Sequence, residues 1–393
     1  MTVVLGKYGD GFCRAFFEKL RKYREGLKYG EFLERNFTGG ESIPRLTDGR
    51  HKEREDFFEN PDKLREAIKK DGKVILVYRG KSGVNWSPSN FSWNAIFLGE
   101  YLRDPLYGLE VGELYFFEPN EPRQKQDKSE YQDKKNPGEI VRGEPCSVDI
   151  IRKLMKNYFD RIVTLCAHDS RGKGGWIVKK CRTGERYNIL KNWEDLPPEE
   201  QGNLETLFDG EGFIYNVDGS DIIENYIDDV SQRFPGTYVV NPDGTPCISK
   251  EKVVNGDMCK DGGHMEKVRH LAGEGHGEIT YKDVFELDLR RASVLIPDDR
   301  IMSGRTMAGT VEKVIENGAE HVRCVGFHGE FHHLPEKGTD ALAMLQSKRT
   351  KSEYGLNKVR VHATNSVDNP AFHSPLDILE KGNAVEVCHK VFR

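Results

Sequence analysis

No apolar run in this 393-residue chain approaches the roughly 18 residues needed to cross a bilayer. No Cys-x-x-Cys pair occurs among the eight cysteines, so zinc-ribbon spacing is missing and the thiols read as free in a reducing compartment. A basic excess is missing too. The net charge of -5 argues against nonspecific nucleic-acid binding, although a local cationic pocket can still take a polyanionic small molecule. The opening MTVVLGKYGDGF lacks a charged start, a long apolar stretch and a small-residue cleavage site. The expectation is a cytosolic, soluble protein without membrane attachment. No internal repeat is evident.

What is present is an ordinary globular composition, 37% apolar and 31% charged, at a length that suits two or three domains. Strand-like and helix-like segments alternate, which predicts an α/β fold with mostly parallel sheets. Thr2 to Leu5 reads as a buried strand, and Phe12, Phe16 and Leu20 then recur at helical spacing. Asn60-Pro61 reads as the opening of a charged helix carrying Leu64 and Ile68. Lys73 to Tyr78 is a second strand. Ser147 reads as the cap of a helix bearing Ile151, Leu154, Met155 and Tyr158, with a strand from Arg161 to Leu165 after it.

Ala292 to Ile296 reads as a strand that stops at Pro297. A helical face follows at Met307, Val311, Val314 and Ile315, closed by Asn317-Gly318, and His321 to Phe327 is the next strand. Two stretches read as insertions, 47–71 and 169–212; 125–138 and 257–277 are loop-like. The HGEFHH cluster, His328 to His333, matches no metal-ligand spacing.

The chemistry concentrates in VLIPDDRIMSGRT, Val294 to Thr306, between a strand and a helix. Ligands of open α/β sheets bind above the carboxyl ends of the strands. A tight turn there gathers backbone N–H groups, and the following helix adds its positive end. Gly304 permits close backbone approach, while Ser303 and Thr306 add hydroxyls. Each charge-assisted bond to a phosphate oxygen is worth roughly 1.5–3 kcal/mol. Asp298 and Asp299 would repel a phosphate, so they suit ribose hydroxyls or a magnesium ion held through water.

Asp-Asp-x-x-x-Ser-Gly-x-Thr, after a strand and before a helix, resembles the ribose-phosphate loop of type I phosphoribosyltransferases and of the related phosphoribosyl pyrophosphate synthetases. Further segments resemble the synthetases in the same order along the chain. FTGGE, with Phe37 and Glu41, is similar to a loop that reaches ATP from a neighbouring subunit; Gly39 replaces a polar residue there. Arg123-Gln124 match a pair that contacts ATP. GEPCS, 143–147, matches a run that opens a helix. His168 matches a histidine that helps hold Mg-ATP, although Cys166-Ala167 precede it where the family has Asp-Leu.

Asp243, in YVVNPDG, matches a magnesium-associated acid, and Lys267-Val268-Arg269 matches the Lys-x-Arg of a mobile catalytic loop. HGEF and TNSVDNP are similar to the late His-Gly-x-Phe and Thr-Asn-Thr segments. The ribose-phosphate loop departs from the usual Asp-Asp-x-x-Asp-Thr-Gly-Gly-Thr at Met302 and Arg305.

The resemblance implies two tandem phosphoribosyltransferase-like α/β domains, with mostly parallel sheets flanked by helices. Residues 1–214 would carry the ATP side and both insertions; 215–393 would carry the ribose 5-phosphate and catalytic loops. It also implies transfer of a diphosphoryl group from Mg-ATP to ribose 5-phosphate in a homo-oligomer, a dimer or a hexamer. In that reading Phe37, Glu41, Arg123, Gln124 and His168 hold ATP, and His168 and Asp243 position Mg2+. Asp298, Asp299, Ser303, Gly304, Arg305 and Thr306 hold the sugar phosphate, and Lys267 and Arg269 are catalytic. Arg305 leaves room for a larger acceptor such as ADP-ribose. A noncatalytic, synthetase-like regulatory subunit is the alternative of another class.

Overall fold

The structure, a computed structural model, describes residues 2–36, 42–46, 66–68, 72–80, 88–105, 109–120, 130–132, 140–142, 147–166, 214–217, 219–234, 237–241, 263–264, 266–269, 279–282, 289–334, 339–352, 355–368, 376–382 and 384–392. Seven strands form the first sheet. They are β1 (Val3–Lys7), β2 (Lys28–Asn36), β3 (Ser42–Leu46), β4 (Lys73–Val77), β5 (Glu113–Glu118), β8 (Arg161–Leu165) and β9 (Ile214–Val217), in the spatial order β3-β2-β1-β4-β5-β8-β9. All pairings are parallel except β2 with β3 at the edge. Between β5 and β8 in sequence, β6 (Glu130–Gln132) and β7 (Ile140–Arg142) make a separate antiparallel ladder.

The apolar strands are covered on both faces, as parallel sheets require. Val4, Ile75, Val77 and Phe117 turn to one side, where α1 (Gly11–Leu20) lays down Phe12, Phe16, Phe17 and Leu20. Val3, Leu5, Val74, Leu76 and Phe116 turn to the other, against α2 (Pro88–Arg103) and α3 (Ser147–Met155). Period-2 alternation in the strands and 3.6-residue spacing in the helices set this division. Asp10 starts α1 by accepting from the Phe12 N–H at 3.0 Å, a side-chain cap worth about 1 kcal/mol. Ser147, expected as a cap, is itself the first helical residue. Of the helix expected after Asn60-Pro61, residues 66–68 are described and helical, and the insertion at 169–212 lies outside the described residues.

After α4 (Ser220–Arg233), the second sheet has five parallel strands in the order β11-β10-β14-β15-β20. These are β10 (Tyr238–Asn241), β11 (Gly263–His264), β14 (Ser293–Ile301), β15 (His321–Gly329) and β20 (Arg360–Thr364). A ribbon of β12 (Glu266–Arg269) and β13 (Ile279–Lys282) lies between β11 and β14 in sequence. Leu295, Val325 and Phe327 share a core with α4 and the first sheet, while Val294, Ile296 and Cys324 pack under α5 (Arg305–Glu316) and α6 (Ala341–Ser347). The small ladders β16–β17 (His333–Leu334, Thr339–Asp340) and β18–β19 (Arg349–Ser352, Gly355–Lys358) complete the strands. As expected, Met307, Val311 and Val314 are buried. Gly318, at φ 94°, ends α5 in the left-handed region that glycine enters without strain.

One expectation is corrected. β14 does not stop at Pro297 but continues through Asp298, Asp299 and Arg300 to Ile301. Among the described residues its pairing with β10 ends at Leu295, whereas its pairing with β15 runs on to Ile301. Beyond Leu295 the strand therefore has a ladder partner on one side, and a residue without an N–H is tolerated there.

The last helices, α7 (Ile378–Lys381) and α8 (Ala384–Val391), return to the first sheet. Phe392 stacks on Tyr115 with ring centres 5.0 Å apart, and Arg161 Nη1 donates to the Val391 carbonyl at 2.7 Å.

Candidate functional site at the end of the second sheet

The carboxyl end of β14 carries Asp298 and Asp299, both half-buried. Because the strand continues through them, neighbouring side chains turn to opposite sides. The surroundings agree. Burial, and then the charge of Asp298, push the Cys324 thiol well up, whereas the charge of Asp299 acts on the His328 ring. The two carboxylates can thus serve different groups above the strand end.

Met302 and Ser303 turn the chain into Gly304, which stands at φ 66° and caps α5. A Cβ at Gly304 would lie 3.2 Å from Ala341 Cβ and 3.1 Å from Met344 Cε, so the turn is seated against α6. Gly304 brings no side-chain oxygen to the helix start, where the positive end of a 12-residue helix meets the turn. Such an end stabilises an anion. Ser303, Arg305 and Thr306 are half-buried around it. The sequence-predicted group Asp298, Asp299, Ser303, Gly304, Arg305 and Thr306 is thus gathered on one strand end and the first turn of one helix.

The other predicted residues are placed in part. Lys267 and Arg269 lie on β12, with Cα partners Tyr281 and Ile279 on β13. Phe37, Glu41, Arg123, Gln124, His168 and Asp243 lie outside the described residues. Four of these follow described strands in sequence. β5 precedes Arg123 and Gln124, β8 precedes His168, and β10 precedes Asp243.

Sequence reasoning overlooked a buried polar network at the end of β14. Arg300 pairs with Glu330 through Nη1 and donates from Nη2 to Asn120 Oδ1 at 2.9 Å. Asn120 Nδ2 donates to Glu330 Oε1 at 3.4 Å, and His332 Nε2 contacts Glu330 Oε2 at 2.8 Å. Burial alone would raise the Glu330 carboxyl, but Arg300 and His332 bring it down to about 2.

His328 is fully buried and uses both ring nitrogens. Nε2 faces the Leu165 and Cys166 carbonyls at 3.2 and 3.4 Å, and Nδ1 meets Ser366 Oγ at 2.9 Å. Carbonyls only accept, so the proton sits on Nε2 and the Ser366 hydroxyl donates to Nδ1. Burial, with Arg300 next, pushes this ring down to about 3. The HGEF motif therefore supplies internal structure. Among the described residues no group of three or more His, Cys, Asp or Glu side chains could hold a metal ion. The sequence offered only a weak signal for the network, the acidic Glu330 inside HGEF.

No described protein family matches the sequence, and no curated protein does. Two mostly parallel sheets flanked by helices make an α/β fold of the phosphoribosyltransferase type. The particular likeness is to the phosphoribosylpyrophosphate synthetase of Mycobacterium smegmatis, at TM-score 0.56 and 15% identity, over 100% of this chain and 98% of that one. A hypoxanthine phosphoribosyltransferase from Staphylococcus aureus matches 40% of this chain and 82% of its own at 12% identity, with a TM-score of 0.22 too low to carry an argument. Among the described residues no helix is long and apolar enough to cross a membrane.

Proposed function

We propose that the protein is a ribose-phosphate diphosphokinase: it transfers the β,γ-diphosphoryl group of Mg-ATP to the 1-hydroxyl of ribose 5-phosphate, giving phosphoribosyl pyrophosphate and AMP. The observation that carries this reading is the end of β14, where two carboxylates precede a left-handed glycine at a helix start. The full-length likeness in fold to a synthetase supports it. In this reading the α5 start, Ser303, Arg305 and Thr306 hold the 5-phosphate, and Asp298 and Asp299 orient the ribose through its hydroxyls. Phe37, Glu41, Arg123, Gln124 and His168 hold ATP. The acceptor oxygen attacks the β-phosphorus, the bond from that phosphorus to the AMP oxygen breaks, and the hydroxyl proton is released.

Aligning two anionic substrates supplies much of the acceleration, about 7–11 kcal/mol in ideal cases. Lys267 and Arg269 neutralise charge that develops on the transferred group. Mg2+ fits a rim of this kind, since it keeps several waters and asks for one or two carboxylates beside substrate phosphates, and Asp298 and Asp299 add hard oxygens that it could reach through water. His168 and Asp243 are the residues proposed to hold it, and when bound it supplies charge neutralisation on the phosphates. The division into domains at 1–214 and 215–393, assembly into a homo-oligomer and a cytosolic setting belong to the same proposal.

A second reading rests on Arg305, the first residue of α5 beside Gly304. A cation added there suits an acceptor with an added phosphate, such as ADP-ribose. The test mixes the protein with Mg-ATP and either ribose 5-phosphate or ADP-ribose and measures AMP release. Release with ribose 5-phosphate is expected. Release with ADP-ribose alone moves the assignment to the second reading. Release with neither rejects both and leaves a regulatory subunit.

A further inference from the structure

The Arg300–Glu330 pair is nearly sealed from solvent, with side chains 2% and 1% exposed. Burying two charges is costly, and well-packed apolar residues usually serve stability as well or better. The pair has a third arm. Asn120 comes from the end of β5 in the first sheet and bonds both members, Arg300 at 2.9 Å and Glu330 at 3.4 Å. Arg300 itself sits directly after Asp299 on β14.

The backbone on the Glu330 side is fastened to the same loop. The N–H groups of Glu330 and Phe331 both donate to the Ile301 carbonyl at 3.0 Å, and that of His332 donates to the Met302 carbonyl at 2.9 Å. Phe331 is held at φ 42°, a left-handed conformation that costs energy for a bulky side chain and persists only where the surroundings over-determine it. The Ala341 N–H then donates to the His332 carbonyl at 3.0 Å, which reaches the helix that seats Gly304.

We propose that Asn120, Arg300 and Glu330 form a positioning clamp that holds the Asp298–Gly304 loop at a set distance from the strand ends of the first sheet. The clamp rests on the diphosphokinase reading, in which the first sheet's rim carries the donor and the loop carries the acceptor. The three residues touch neither substrate; they act by fixing the rim that does.

Two variants of the full chain test this, Asn120→Ala and the double substitution Arg300→Met with Glu330→Leu. The second replaces the ion pair by apolar side chains, a swap that often costs little stability. Displacement of a reacting group by about 1 Å can cost roughly 100-fold, so kcat is expected to fall about 10- to 100-fold while KM for each substrate changes by less than about threefold. Wild-type kcat in Asn120→Ala overturns the clamp. So does a variant whose only change is a lower denaturation midpoint. If the double variant does not fold, Asn120→Ala carries the test alone. Amide exchange at residues 301–304, followed without substrates, separates the clamp from the reading beneath it. Should the wild type release AMP with neither acceptor, the diphosphokinase reading falls. Faster exchange in Asn120→Ala then supports the clamp, and unchanged exchange rejects it.

Discussion

His328 Nε2 donates to the Leu165 carbonyl at 3.2 Å, so a ring on β15 of the second sheet is tied to the end of β8 in the first. A free histidine titrates near about 6.5, and burial pushes this one down to about 3. Between those values the unfolded chain binds a proton that the folded chain does not. Stability therefore rises with pH across that window and is complete above it, with a slope of at most about 1.4 kcal/mol per pH unit. Urea midpoints of the wild type should fall from pH 7 to pH 5, and His328→Gln should lower that slope without abolishing it, because burial, with Arg323 and Arg360, also pushes His362 down to about 4. Equal slopes in the two proteins would exclude His328 as the source.

Gly304→Ala places a side chain at φ 66° with neighbours at 3.1–3.4 Å on α6. The left-handed backbone alone costs roughly 1–2 kcal/mol for a residue with a Cβ. The expected outcome is a destabilisation of that order with weakened binding of ribose 5-phosphate, measured by denaturant titration and calorimetry. Wild-type affinity in a destabilised protein would remove Gly304 from the phosphate site.

Arg152 and Glu118 form an ion pair inside the first sheet's flank, at 3% and 0% exposure. Burial pushes the Arg152 guanidinium down to about 9. Arg152→Ala strands the Glu118 charge and should cost about 3–5 kcal/mol, while Arg152→Met with Glu118→Leu should cost far less. The denaturation midpoints of the two variants decide the matter, and equal losses would contradict it.

If Lys267 neutralises the transferred group as proposed, Lys267→Ala should lower turnover far more than ATP affinity. Asp298→Asn should chiefly raise KM for the acceptor. Single-turnover AMP release, with ATP binding measured separately, distinguishes the two. Near-normal turnover in Lys267→Ala would end its assignment.

Three of the seven strands of the first sheet were legible because they are short apolar runs next to helical patterns. Val3–Lys7, Lys73–Val77 and Arg161–Leu165 stand close to where the pattern places them. The helix through Met307, Val311 and Val314 was equally readable from spacing and from Asn317-Gly318. The end of β14 was not. Proline followed by two acids reads as a stop, and the one-sided ladder that lets the strand continue belongs to neighbours distant in sequence. The Asn120–Arg300–Glu330 network was hidden for the same reason, since its members are separated by 180 and 30 positions.

By itself the sequence determined the α/β alternation, the turn at Gly304 and the grouping of Asp298, Asp299, Ser303 and Thr306, because each depends on residues within a few positions of one another. Only the tertiary structure decided how far β14 runs, where the final helices dock and what His328 and Glu330 do. Those outcomes depend on burial and on hydrogen bonds between segments remote in sequence, where the low dielectric of the interior sets which charges can persist.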